Sequence, residues 1–90
     1  MKAIDFSPEI LQKFKQLKGK NLNLYQKLIK QLDLFQKNPR HRSLRLHKIK
    51  QGKDNIWSIS IDKDYRMLYV ENEIIYFFEL GTHDEVYRKR

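Results

Sequence analysis

The apolar residues of this chain keep one rhythm up to Pro39 and another after Ser43. Leu24, Tyr25, Leu28, Ile29, Leu32 and Phe35 recur with the 3.6-residue period of a helix that lays one side on a core. Leu44 and Leu46, then Trp57, Ile59 and Ile61, alternate with polar residues in the period of two that belongs to strands. A chain of 90 residues has room for one small core, so both halves must share it. The sequence therefore predicts one domain, residues 1–90, of the α+β class: a helical hairpin on one face of a curved antiparallel sheet.

Punctuation residues place the elements. KAIDF alternates weakly and predicts a short leading strand. Ser7, Pro8 and Glu9 supply an N-cap, a proline at the first helical position and a first-turn acid. That helix carries Ile10, Leu11, Phe14 and Leu17 until Gly19 interrupts it. A second helix starts near Asn21 and stops at Asn38 and Pro39. Turns around Gly52, at Asp62 to Asp64 and at Glu71 to Glu73 then divide the remainder into strands, with Trp57 expected in the core. The last strand, IIYFFEL, is so continuously apolar that it reads as covered on both faces. It is expected to stop at Gly81 and release His83, Tyr87 and Arg88, with Asp84 placed to cap a final helical turn. The hairpin covers one sheet face; the other is left for function.

Charge separates the halves. The first 53 residues hold fourteen Lys or Arg against three acids, and the rest five against eight. The excess is densest from Lys37 to Lys53, a stretch with His41 and His47 and no acid. Such a cluster is either a solvated face or the electrostatic footprint of a polyanion. Leu44, Leu46 and Ile49 thread through it, so part of it must be ordered against the core, which favours a fixed binding surface. There is no cysteine, hence no disulfide, thiolate nucleophile or Cys-based metal site. No apolar run approaches the roughly 20 residues that span a bilayer, and the N-terminus lacks a signal peptide's apolar stretch. A soluble, cytoplasmic protein without a membrane partner is expected. No HExxH, phosphate-cradling glycine loop or serine-nucleophile motif is present, and neither metal nor cofactor is expected.

Arg66 is the first candidate for chemistry, set in a strand on the same face as Leu68 and Val70. It either pairs with Asp62, Asp64 or Glu79, or clamps a phosphate with its planar fork. His83 is either a loop residue or, beside Arg66, a proton-transfer group for phosphodiester cleavage. Tyr87, four residues on, either packs the C-terminus or stacks on a nucleobase. His47 and Asp64 are weaker candidates, the second equally suited to forming its turn. Arg42, Arg45, Lys48, Lys50 and Arg88 are the expected RNA-backbone contacts.

The basic LRLHKIKQG, then IWSISIDKDYRMLYV, then IIYFFELGTHDEVYR resemble the RelE/ParE superfamily of toxins from type II toxin–antitoxin systems, over essentially the whole chain. The resemblance implies a metal-independent endoribonuclease that cuts mRNA in the ribosomal A site. It also implies a cognate antitoxin, here with an acidic binding segment, and a toxin that is monomeric when free and hetero-oligomeric when held. By position, Arg66 matches the strand arginine that stabilises the scissile phosphate, and Tyr87 the C-terminal aromatic that orients a base. His83 in GTHDEVY resembles the proton-transfer histidine of the YafQ branch, and His47 and Asp64 resemble further positions of that branch. Ser58 and Ser60 stand where RelE has lysines, and Gly81 where it has a second arginine. Ser60 also replaces a YafQ histidine. Two other readings remain open: a ParE-like toxin that inhibits DNA gyrase by binding, and a degenerate toxin kept as a partner-binding module.

Overall fold

Ser7 fixes where the first helix begins. Its Oγ accepts a hydrogen bond from the Ile10 amide at 3.1 Å, with Pro8 at the first helical position and Glu9 in the first turn. The computed structural model describes residues 2–49 and 55–88. In it, β1 (Ile4–Phe6) leads into α1 (Pro8–Lys20) and α2 (Leu22–Lys37). A single 3-10 turn (Arg42–Leu44) precedes β2 (His47–Ile49), β3 (Ile56–Ser60), β4 (Tyr65–Glu71), β5 (Ile75–Thr82) and α3 (His83–Arg88). Among the described residues no helix is long and apolar enough to cross a membrane.

The break between the helices falls at Asn21 rather than Gly19. The Asn21 amide donates to the Leu17 carbonyl at 2.8 Å, closing α1, while its side-chain oxygen accepts from the Leu24 amide at 3.2 Å, opening α2. One residue caps both helices, and Gly19 is tolerated in the exposed last turn at a cost of about 1 kcal/mol against alanine. Asn38 closes α2 with a bond from its amide to the Leu34 carbonyl, and Pro39 follows.

The sheet order is β1-β5-β4-β3-β2. The strands after the hairpin pair antiparallel, as the sequence predicts, but β1 joins the far edge parallel to β5. The β3–β4 turn is pinned by Asp62, whose Oδ1 accepts from the amides of Asp64 and Tyr65 at 2.9 and 2.8 Å. That turn sets the register in which Ser60 lies opposite Arg66. A bulge interrupts the next pairing: Tyr69 faces Phe77 and Leu68 faces Glu79, so Phe78 is the extra residue in β5.

The hairpin covers one face of the sheet. Phe35 from α2 meets Tyr69 and Phe77 edge-on, at 5.2 and 5.4 Å between ring centroids. Ile10, Leu24, Leu28, Ile59 and Met67 belong to the same core, with half-buried Trp57 at its margin. On the other face Ile49, Ile56 and Leu68 form a smaller cluster that α3 covers with Val86. The apolar strand β5 is thus covered on both faces.

Candidate active site

Arg66 projects from the middle of the sheet on the α3 side. Its Nε donates to the Ser58 hydroxyl, and its Nη2 donates to the carbonyls of Arg45 at 2.7 Å and Ser58 at 3.2 Å. Ser58 is wholly buried. Arg45 closes the 3-10 turn in a left-handed conformation, φ 46° and ψ 51°, that presents its carbonyl to the guanidinium. For a non-glycine residue that geometry costs about 1–2 kcal/mol, which the bond to Arg66 offsets in part.

All three bonds go to neutral oxygens, so the pairing with Asp62, Asp64 or Glu79 weighed from the sequence is not what holds Arg66. Burial lowers its pKa from the usual arginine value; the neighbouring Tyr87 phenol acts against this and Arg45 adds to it. A desolvated guanidinium oriented by neutral acceptors keeps its charge available to an incoming anion.

The α3 helix brings the aromatic part of the site. Thr82 and Glu85 form a reciprocal cap: the Thr82 amide donates to Glu85 Oε1 at 2.8 Å, and the Glu85 amide donates to Thr82 Oγ1 at 3.2 Å. The cap is therefore Thr82, not Asp84, and His83 is the first helical residue. The strand runs through Gly81 rather than stopping there. A Cβ at Gly81 would lie 3.2 Å from Glu85 Cβ and 3.4 Å from Val86 Cγ1, so the glycine is what lets α3 close onto β5.

With α3 starting at His83, His83 and Tyr87 fall on one side of it, their ring centroids 4.4 Å apart. His47, first residue of β2, meets the same tyrosine ring edge-on at 6.3 Å. Arg45, Leu46, His47, Arg66, His83 and Tyr87 together line an open cleft of about 480 Å³. His83 is exposed, with Nδ1 3.6 Å from Asp84 Oδ1.

Of the residues singled out in the sequence, Arg66, His47, His83, Tyr87 and Arg45 meet in this cleft. Asp64 does not line it; its carbonyl accepts the His83 amide at 2.8 Å, so it supports the start of α3 through the backbone. Arg42 is exposed in the 3-10 turn. Lys48 alternates with His47 to the other face, where its Nζ stands 5.5 Å from the Trp57 ring centroid. Arg88 lines a separate depression with Lys13 and Leu80. Lys50 lies outside the described residues. Among the described residues no three His, Asp or Glu side chains gather as metal ligands.

Two contributors escaped sequence reasoning, the Ser58 hydroxyl and the Arg45 carbonyl. Counting the register outward from the Asp62 turn would have found the first, since Ser60 and Ser58 share the Arg66 face. Nothing in the sequence marks the second.

An arginine held in mid-sheet beneath a short C-terminal helix, with a helical hairpin behind, is the α+β arrangement that the resemblance to the RelE/ParE superfamily implies. The chain belongs to the ParE-like toxin domain family, whose model matches residues 22–89. A search of curated proteins finds no match. Among solved structures, the heterotetrameric YoeB–YefM toxin–antitoxin complex from Staphylococcus aureus contains a chain 19% identical, with 92% of this chain and 98% of that one covered at a TM-score of 0.73. YafQ from E. coli strain BL21(DE3) is 18% identical, covering 97% and 99% at 0.69. The YoeB/ParE toxin from Agrobacterium tumefaciens is 13% identical, covering 92% and 99% at 0.74. These likenesses show a shared fold.

Proposed function

We propose that this toxin belongs to a type II system and is a metal-independent endoribonuclease that cuts translated mRNA in the ribosomal A site. The observation that carries the reading is the convergence of an oriented Arg66 with His47, His83 and Tyr87 in one open cleft. In this reaction the 2′-hydroxyl beside the scissile phosphate attacks phosphorus as it loses its proton, the bond to the 5′-oxygen breaks, and that oxygen takes up a proton. The products are a 2′,3′-cyclic phosphate and a 5′-hydroxyl, with no water consumed. His83 and His47 are the proton carriers, Arg66 stabilises the charge gathered on the phosphorane, and Tyr87 stacks on a base. We assign no proton transfer to Asp64.

The partner we assign is an antitoxin. Chains of this fold are held by YefM in the S. aureus complex and by DinJ in the E. coli DinJ–YafQ complex. The strongly basic first half calls for an acidic segment that folds on binding and covers or displaces α3.

The test is primer extension on a reporter mRNA in a purified translation system, with and without ribosomes. Wild type is expected to cut only translated message, and Arg66→Ala and His83→Ala to lower cutting at least a hundredfold, the lower range for loss of a general acid or base or of an oxyanion donor. Unchanged cutting by both variants would sink the assignment. A second reading, gyrase inhibition by binding, draws support from the ParE-like family match. It needs no imidazoles, so inhibition of supercoiling by a protein that cuts no RNA would establish it instead.

A further inference from the structure

Beyond Arg45 the surface opens into a second concavity, of about 350 Å³, between α2 and the β3–β4 turn. Lys27 and Lys30 reach it from α2, Arg45 from the end of the 3-10 turn, and Lys63 from the β3–β4 turn. None of these four cations has an ion-pair partner among the described residues. The one acid on its rim, Asp62, has Oδ1 occupied by the amides of Asp64 and Tyr65. The floor is polar and already fixed: Gln31 Nε2 donates to the Ser60 carbonyl at 2.8 Å and the Ser43 carbonyl at 3.3 Å. This groove adjoins the cleft. Arg45 lines both, and Ser60 is the cross-strand partner of Arg66.

We propose that this groove holds the phosphate backbone of the message strand on one side of the bond cut at Arg66. The proposal rests on the RNA-cleaving reading of the cleft and adds a path for the strand: across Arg45, then between the α2 lysines and Lys63. A protein segment is anchored by apolar or aromatic side chains seated in pockets. Here Ile61 is the only apolar residue among the described residues of the lining, and it is buried. A phosphate chain needs spaced cations in excess of carboxylates, and the groove offers four cations against the single carboxylate of Asp62. Lysines are point charges on flexible stems, so they hold backbone without reading bases. Lys27, Lys30 and Lys63 lie outside the dense basic segment from Lys37 to Lys53, and the fold alone brings them to the groove.

The test uses the full chain carrying His83→Ala, so that RNA stays intact, and fluorescence anisotropy of a labelled ten-nucleotide RNA over a salt series. Two triple variants remove equal charge: Lys27→Gln with Lys30→Gln and Lys63→Gln, and, on α1 away from the groove, Lys15→Gln with Lys18→Gln and Lys20→Gln. The groove triple is expected to weaken low-salt binding on the order of tenfold and to flatten the slope of log K against log salt by about 2 units, as three lost single-strand contacts require. The α1 triple should leave the slope within about half a unit of its parent. Equal effects of both triples, or none from the groove triple while RNA still binds, would overturn the groove alone. Loss of ribosome binding with oligonucleotide binding intact would overturn it too, by assigning the groove to ribosomal RNA. Absence of oligonucleotide binding by the parent would overturn the groove, whereas the cleft reading stands or falls with the primer extension on translated message.

Discussion

On the hairpin side of the sheet, Phe35, Tyr69 and Phe77 gather with ring centroids 5.1–5.4 Å apart and exclude water. On the opposite side a few aliphatic residues around Leu68 give way to buried serines, a half-buried arginine and two histidines. Both faces are built from the same strands, with Met67 and Tyr69 pointing one way and Arg66 and Leu68 the other. Strand alternation thus separates stability from chemistry: the dry face supplies the free energy that lets the other keep polar groups aimed at solvent.

The sharpest way to break this comparison is to remove a ring from the dry face. Phe35→Ala is expected to cost about 3–5 kcal/mol, read as a fall in the urea midpoint with the cleavage pattern of the remaining folded protein unchanged. A loss below about 1 kcal/mol would mean that the hairpin face is not the main store of stability, given the usual cost of such a truncation. Next in size is Gly81→Val. The new side chain has no room against Glu85 and Val86, so α3 must lift and take His83 and Tyr87 with it. We expect about 1–3 kcal/mol of destabilisation and near-complete loss of cutting, whereas Phe35→Ala loses stability first. If Gly81→Val cuts normally, the seating of α3 is not what assembles the site.

Ser58→Ala then probes the cleft face with little effect on the fold. It strips the acceptor from Arg66 Nε and leaves the bonds to the Arg45 and Ser58 carbonyls. A cost of about 1 kcal/mol in stability is expected. Cutting should fall on the order of tenfold, equivalent to about 1.4 kcal/mol of lost transition-state stabilisation. Unaltered cutting would mean that the two carbonyls alone orient the guanidinium.

How far the chain could be read in advance follows the same division. The hairpin and the last three strands were legible because their apolar residues keep a period and the described turns carry Pro, Asn or Asp. The alternation of Leu44 and Leu46 misplaced the strand before them, since Arg42–Leu44 is a 3-10 turn and the strand is His47–Ile49; the expected turn around Gly52 lies outside the described residues. The parallel docking of β1 was not legible, since a three-residue strand carries no sign of its partner. The bulge at Phe78 was not legible either, and it matters more. Without it, strict alternation from Phe77 would aim Gly81 at the hairpin; with it, Gly81 lies opposite Arg66 and α3 begins over the cleft. The residues that line the cleft were found as types, from their resemblance and from chemistry. Their support was invisible: a backbone carbonyl in a left-handed residue and a hydroxyl that looked like a lost lysine.

The smallest predicted effect lies in the titration of the two faces, where burial pushes two groups in opposite directions. It lowers the pKa of Arg66, whose charged form is the protonated one, and raises that of Tyr69, whose charged form is the deprotonated one. Burial, helped by Glu71 and opposed by Arg40, carries the Tyr69 phenol from 10.0 to about 12. Between those values the unfolded chain has released a proton that the folded chain still holds, so stability falls as pH rises. The contribution is whole below pH 10 and is lost as pH rises through about 12. Tyr69→Phe lacks this proton and keeps nearly the same volume, so at neutral pH it should lie within about 1.5 kcal/mol of wild type. In urea melts across the alkaline window, wild type should lose stability more steeply than Tyr69→Phe, with lysine titration common to both. Parallel curves would show that Tyr69 ionises as it would in water. The hairpin face would then admit solvent, and the contrast between a dry face and a chemical face would have to be redrawn.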